Sequence, residues 1–452
     1  MTREQAEAVY ALGKEAVVFV MLQMAARLVG QVKDGPRAST PSAMVPTYNK
    51  KSKRKCRNNR GAKPGHAGKR RENPPKITRQ QDHAPLERCP DCGEPLGPPN
   101  PQRRFRLIED IVETEPEVVR HSIARTWCAH CHKWVEPPVA DAMPKAKLGH
   151  RVVALTAWLH YGLGVTISQL LAVLNHHLHF QLTPGGAMDA WQRLAQVLLP
   201  WYEHIGGQVK QAGVLHADET GWRVNGRSVW LWCFTTKRAT YYMIHQSRGS
   251  PALSQFFTTA FDGVLVTDFW SAYNAVACTD RQVCISHLLR ELVAVDEHNT
   301  SSGWCQFSKK LKRLVRDGLR LKRRDDISLE TQTRRAKRIT DRLTELVEWA
   351  SEDKDVRRVV KRLRKHREAF FAFLDYKDVP PDNNHAEREI RPAVIMRKNS
   401  LCNQSEQGAD VQAILMSIYR TVNLRGIDPL EAIVSALREY VRTGSLPPLP
   451  GK

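Results

Sequence analysis

Two sets of side chains in this 452-residue sequence have the types and spacing that chemistry requires. The first is the pair of C-x-x-C steps, Cys89-Pro90-Asp91-Cys92 and Cys128-Ala129-His130-Cys131. Each step can set two thiolates on one tetrahedral ion, with Pro90 and Gly93 favouring the tight turn, so together they predict a closed, structural Zn²⁺ site. His130 or His132 in place of one thiolate is the main variant, and a redox pair is disfavoured because neither step opens a βαβ unit. The second set is three carboxylates. Asp218 ends the apolar run 214–217, Asp268 ends the run 263–267, and Glu387 lies in the polar run 383–392. An apolar run that terminates in an acid reads as a buried strand delivering that acid to the carboxyl edge of a sheet. If the three converge, their oxygens form a cage for Mg²⁺ or Mn²⁺, the ions that serve in-line phosphodiester chemistry. Taken singly, each acid is more often a cap or an ion-pair member, and Glu219, Asp262 and Glu389 stand close by as competitors.

Charge points to a polyanionic partner. The chain holds 69 Lys and Arg against 47 Asp and Glu, a net charge of +22. Residues 50–71 carry eleven basic side chains and no acid, and residues 309–367 carry twenty-two against ten. These two segments contain the whole excess, a pattern that fits DNA-contacting parts on an otherwise neutral body. Lys53, Arg54, Lys55, Lys312 and Arg313 are the expected contacts within them. The longest uncharged apolar stretch, residues 16–26, is too short to span a bilayer and lacks the features of an export signal. The expectation is a cytoplasmic, nucleoid-associated protein with no membrane partner, whose ten cysteines bind metal rather than form disulfides.

The elements that must position these residues follow from periodicity. Residues 4–33 carry apolar positions at three and four spacing and predict an N-terminal helix over 1–34, followed by a basic flexible linker over 35–85. A zinc-binding module over 86–140 contains both cysteine pairs, with the alternating stretch 104–113 predicted as a strand between them. Residues 148–205 read as helical, with the outline of a helix-turn-helix around Thr183-Pro184-Gly185-Gly186. Strands are expected at 214–217, 228–235, 240–245, 264–267 and 283–285, the first three as an antiparallel meander. A basic helical block then fills 304–376, and two helices broken near Gly426 and Pro429 end the chain.

Several blocks carry a resemblance. His216-Ala217-Asp218-Glu219-Thr220-Gly221-Trp222, Thr267-Asp268-Phe269-Trp270-Ser271-Ala272-Tyr273, Ser286-His287-Leu288-Leu289-Arg290-Glu291 and the run from Asn383 to Pro392 resemble, in order, the signature blocks of the IS66 family of bacterial insertion-sequence transposases. Upstream Lys63-Pro64-Gly65-His66 and the cysteine pairs, and downstream Ser417-Ile418-Tyr419-Arg420-Thr421 and Gly426-Ile427-Asp428-Pro429, extend it over most of the chain. The amino-terminal arm departs from the family pattern in being a basic tract. The resemblance implies a multidomain α+β protein with a ribonuclease-H-like α/β core of the DDE type. The first part of that core spans 210–303, a helical insertion spans 304–376, the second part with the glutamate spans 377–404, and a helical region spans 405–452. It makes Asp218, Asp268 and Glu387 the catalytic acids, with Arg388 and Arg391 beside the glutamate as phosphate contacts. It leaves His287 without a firm role.

The implied activity is binding of an element's terminal inverted repeats, cleavage of its 3′ ends and transfer of those ends to target double-stranded DNA. At least a dimer, and accessory proteins of the same element, are the implied partners. No Walker-type glycine loop is found, so no ATP site is expected. Two alternatives are a metal-dependent nuclease without strand transfer, and a non-catalytic, zinc-containing DNA-binding regulator.

Overall fold

In a computed structural model that describes residues 10–11, 17, 72–102, 104–111 and 115–451, the expected runs of strand assemble into one five-stranded sheet. Its strands are β3 (Val214–Val224), β4 (Arg227–Thr235), β5 (Thr240–His245), β6 (Phe261–Thr267) and β7 (Cys278–Val283), in the order β5-β4-β3-β6-β7. β3, β4 and β5 form an antiparallel meander. Its first turn has Asn225 and Gly226 at φ 48° and 74°, the left-handed pair that a two-residue hairpin demands. β6 joins β3 in parallel and β7 joins β6 in parallel. The strand expected at 283–285 is displaced: β7 ends at Val283, and Ile285 already begins a helix. The apolar step Val283-Cys284-Ile285 straddles that junction, while the body of β7 is polar and half exposed because it lies at the sheet's edge.

Ahead of the sheet lie the hairpin β1 (Thr126–Cys128) and β2 (Lys133–Val135), then helices α1 (His150–Ala157), α2 (Ile167–His177) and α3 (Pro184–Lys210). Thr166 and Gln169 form a capping box on α2, and the Thr183 hydroxyl accepts the Gly186 N–H ahead of Pro184 on α3, so both helices start where their sequence signals lie. Helix α4 (Ser250–Phe256) precedes β6, and α5 (Ile285–Asp296) follows β7. Residues 304–376 fold as α6 (Ser302–Lys322), α7 (Leu329–Val347), α8 (Lys354–Lys365) and two 3-10 turns. The chain returns through α9 (Asn384–Asn399) and ends in α10 (Glu406–Leu424) and α11 (Pro429–Thr443). Among the described residues no helix is long and apolar enough to cross a membrane.

Strand alternation sends side chains into two cores. Leu215, Ala217 and Leu265 enter a core built with Trp191, Leu194, Leu415 and Ile418 of α3 and α10. Val264 and Val266 point the other way, into a core shared with Leu288 of α5, Trp304, Phe307 and Leu311 of α6, Leu343 of α7 and Val359 of α8. A third cluster packs Ile390, Ala393 and Met396 of α9 on Trp222, Leu231 and Cys233. Each such large side chain contributes roughly 1.5–3 kcal/mol by leaving water, so both faces of the sheet are anchored independently.

The described residues fall into two units, 72–117 and the body just outlined. In the smaller unit a turn surrounds the first cysteine pair: Gly93 N–H donates to Cys89 O and Cys89 N–H to Glu94 O, both at 2.9 Å, and Gly93 has φ +77°. The strand expected over 104–113 does not form in its described part. Phe105, Ile108 and Ile111 are exposed and no neighbouring chain offers a ladder, which alternation alone cannot supply. Most of 1–34 and 35–85, including Lys53, Arg54, Lys55 and Lys63-Pro64-Gly65-His66, lies outside the described residues; Tyr10, Ala11 and Val17 are helical.

Side chains tie both edges of the sheet to the elements beside them. On β5, the Ser417 hydroxyl of α10 accepts the Tyr242 N–H at 2.9 Å, and Thr421 accepts the Thr240 N–H at 3.0 Å while donating to Thr240 O at 3.2 Å. On β7, the fully buried Gln282 accepts the Phe373 N–H at 2.8 Å and donates to Phe370 O. An edge strand would otherwise expose these groups as a template for pairing. Thr421→Val and Ser417→Ala should each cost about 1–3 kcal/mol by orphaning a buried N–H, and the double variant should lose more and aggregate faster on partial unfolding. Denaturant midpoints unchanged from the parent would refute this role for α10.

Candidate active site

The parallel register brings the two aspartates together. Val214 lies opposite Val264 and His216 opposite Val266, so the same register carried two residues further sets Asp218 beside Asp268. β6 ends at Thr267, whereas β3 runs on to Val224 and pairs Asp218 with Cys233 of β4. Asp218 is thus not at a strand end, as the sequence suggested, but at the point where β3 outlasts its parallel neighbour. Asp218 accepts the Glu219 N–H at 2.9 Å, and Asp268 accepts the Trp270 N–H at 2.8 Å, which fixes both carboxylates locally.

Neither aspartate has an ion-pair partner among the described residues, and their protonation shows it. Burial, then the charges of Glu219, Asp268 and Glu387, push the Asp218 carboxyl well above the usual range. Burial and the charges of Glu219 and Glu387 push Asp268 up to about 7, against the Trp270 N–H and the Arg248 guanidinium, which pull it down. The competing acids are engaged elsewhere. Glu219 accepts a two-nitrogen grip from Arg248 at 2.9 and 3.1 Å and the Tyr273 hydroxyl at 2.6 Å. Arg248 is itself stacked between Trp270 and Trp230, 4.0 and 4.6 Å from the ring centres. Glu389 is held by Arg420 at 2.8 and 3.0 Å, and Asp262 accepts the Thr279 hydroxyl at 3.1 Å. Spacing alone could not make this distinction, because it does not reveal which carboxylate has a private cation.

Glu387 stands in the first turn of α9. The preceding Asn383 is buried; its amide donates to Ala217 O at 2.8 Å, and its carbonyl meets His216 Nδ1 at 3.1 Å. The residue just before Asp218 is thereby tied to the residue four before Glu387. Glu387 also faces α5: Arg290 donates to its Oε1 at 3.0 Å, and His287 Nε2 lies 3.5 Å from the same oxygen. Burial first, then Arg290, lower the His287 pKa, with Glu387 opposing. Cys284, His287 and Arg290 were not singled out as partners of the glutamate, although the block Ser286-His287-Leu288-Leu289-Arg290-Glu291 contained two of them. Arg388 and Arg391 are exposed, the latter one turn beyond Glu387 on its own face. Lys312 is ion-paired with Asp296, and Arg313 is exposed beside a cavity of about 330 Å³ lined by Lys310, Arg342 and Trp349.

Each cysteine pair has the local form of a metal knuckle. The N–H groups of Cys92 and Asp91 hold the Cys89 thiol below its usual range, and the Cys131 N–H, 3.4 Å from Cys128 Sγ, does the same there. Donors aimed at sulfur favour thiolate, the form in which cysteine ligates zinc.

The chain is a mixed α/β protein in which the parallel register sets Asp218 beside Asp268 at the carboxyl end of β6. The chain belongs to the IS66 family of transposases: the family model described as Transposase IS66 family matches residues 145–411. It is similar to three proteins of Sinorhizobium fredii named as uncharacterized. With y4qI it is 26% identical over 307 residues, 61% of this chain and 53% of that protein. With y4jD it is 23% identical over 378 residues, 74% of this chain and 71% of the other, and with y4hP 21% identical over 392 residues, 76% and 69%. The chain spans about half the length of y4qI.

An acid whose pKa is raised to about 7 keeps in the fold a proton that the unfolded chain loses near pH 4. The metal-free protein should therefore lose stability as pH climbs from about 4 to about 7. Asp268→Asn removes the repelled charge. It should raise the melting temperature at pH 8 in EDTA, by a gain on the order of a few kcal/mol, and flatten that slope. A variant no more stable than the parent at pH 8 would show that the acids do not repel one another.

Proposed function

We propose that this protein is the DNA transposase of an insertion sequence, a DDE enzyme that cleaves the element's ends and joins them to target DNA. The observation that carries the reading is the parallel register that sets Asp218 beside Asp268, neither of them ion-paired among the described residues, while Glu387 comes back on the first turn of α9. The strand order supports a ribonuclease-H-like core, since three antiparallel strands are followed by two parallel ones, with an acid on the first, an acid after the fourth, and the third on a helix after an insertion.

The donor set fits a hard divalent ion, because all three groups offer carboxylate oxygen and neither aspartate is ion-paired among the described residues. Asp218, Asp268 and Glu387 would hold Mg²⁺ or Mn²⁺, which when bound activates the attacking hydroxyl and stabilises the leaving 3′-oxygen. The chain's own contribution is position. Asn383 fixes the approach of α9 to β3, and Glu219, locked by Arg248 and Tyr273, holds the backbone that carries Asp218. Arg388 and Arg391 stand exposed on α9 to take phosphates, and the basic helices α6–α8 supply a sequence-independent grip on the duplex. Cys89 with Cys92, and Cys128 with Cys131, would each offer a pair of thiolates to structural Zn²⁺, and joining two element ends calls for at least a dimer.

Asp218→Asn and Glu387→Gln should each reduce Mg²⁺-dependent cleavage of DNA bearing the element's ends by more than about 10³-fold, while binding of that DNA changes little. Gel assays of nicking and of joined donor and target products measure both steps. Cleavage that survives both substitutions would rule out this site, and cleavage without any joined product would make the protein a nuclease.

A further inference from the structure

Around Glu387, the first turns of α5 and α9 meet at three unlike donors. Cys284 caps α5 and its Sγ accepts the Asn383 N–H at 3.2 Å. His287 stands in the first turn of α5, and one donor atom from each of Cys284, His287 and Glu387 lies within 4.8 Å of the other two. His287 Nδ1 is buried without any hydrogen-bond partner, so the ring is held there by no bond of its own at that atom.

Sulfur, imidazole nitrogen and carboxylate oxygen together are a poor set for Mg²⁺, which takes oxygen, and a good one for a borderline ion. Bonds of about 2.0–2.3 Å to a tetrahedral ion put ligand atoms roughly 3.3–3.8 Å apart, so side-chain rotations of about an ångström close the present spacing. We propose that Cys284, His287 and Glu387 form a binding site for one borderline transition-metal ion, Zn²⁺ above all, distinct from the paired-cysteine module. Binding releases the Cys284 thiol proton to solvent, displaces Arg290 from Glu387, and leaves a fourth position to water. Resting on the transposase reading, it follows that this ion withdraws the third acid from Asp218 and Asp268. Zn²⁺ then inhibits an enzyme that Mg²⁺ activates.

The test counts ions on the full-length protein. Zn²⁺ bound per chain is measured by elemental analysis after equilibrium dialysis for the parent, Cys284→Ser and His287→Asn, with circular dichroism as the check on folding. The parent should hold one equivalent more than either variant, and Co²⁺ in place of Zn²⁺ should give a thiolate charge-transfer band that weakens in Cys284→Ser. Equal ion counts in the parent and a folded His287→Asn protein would overturn the site. In cleavage assays at saturating Mg²⁺, inhibition of the parent should need at least about tenfold less Zn²⁺ than inhibition of His287→Asn. A parent that holds the extra ion yet never cleaves end-bearing DNA would uphold this site and refute the transposase reading.

Discussion

The parallel register that brings Asp218 beside Asp268, away from water and without an ion-pair partner among the described residues, is the constraint on which the rest of the site depends. Arg248, whose charge reaches Asp268, is ion-paired with Glu219, while Arg420 holds Glu389 and Arg290 holds Glu387. Asp218 and Asp268 receive only single backbone N–H bonds. A local conflict of this kind persists only where the surroundings over-determine it. Here the surroundings are a sheet packed on both faces, with Trp232 and Phe234 fully buried on one side and Val264 and Val266 on the other.

The same packing solves a problem of distance along the chain. Between Asp268 and Glu387 the polypeptide builds three long helices on their own apolar stripes, closed by Phe370, Phe371 and Phe373. That excursion matters little to the site because its two ends are fastened: Cys284 N–H to Thr267 O at its start, and Ile285 N–H to Pro381 O with the Asn383 clamp at its end. Two buried glutamates, held by three arginines, then fix the helices that matter. Glu291 of α5 is gripped by Arg358 and Arg362 of α8, and Glu389 of α9 by Arg420 of α10. Removing one partner of such a pair is far more damaging than its net worth suggests, since a charge is left alone in the interior.

Much of this was legible in the sequence, for physical reasons that differ by element. The meander was visible because alternation and an Asn-Gly turn are local signals, and α10 and α11 because Gly426 and Pro429 punctuate them. β7 was misplaced because an edge strand buries little, so its apolar residues gather at the junction with α5. The stretch 104–111 carried a strand's pattern without a partner to pair with. At the site, the choice of Asp218, Asp268 and Glu387 rests on the surrounding sequence blocks. The cation assigned to Glu219, the clamp by Asn383 and the meeting of Cys284 and His287 with Glu387 are all long-range facts, and no window of sequence contains both members of any of these contacts.

Guarding one margin of the sheet has a consequence for unfolding. Ser417 and Thr421 of α10 occupy outward main-chain groups of Tyr242 and Thr240 on β5, so a foreign strand can add there only after α10 has lifted away. The helix is a latch on a surface that the fold keeps out of reach.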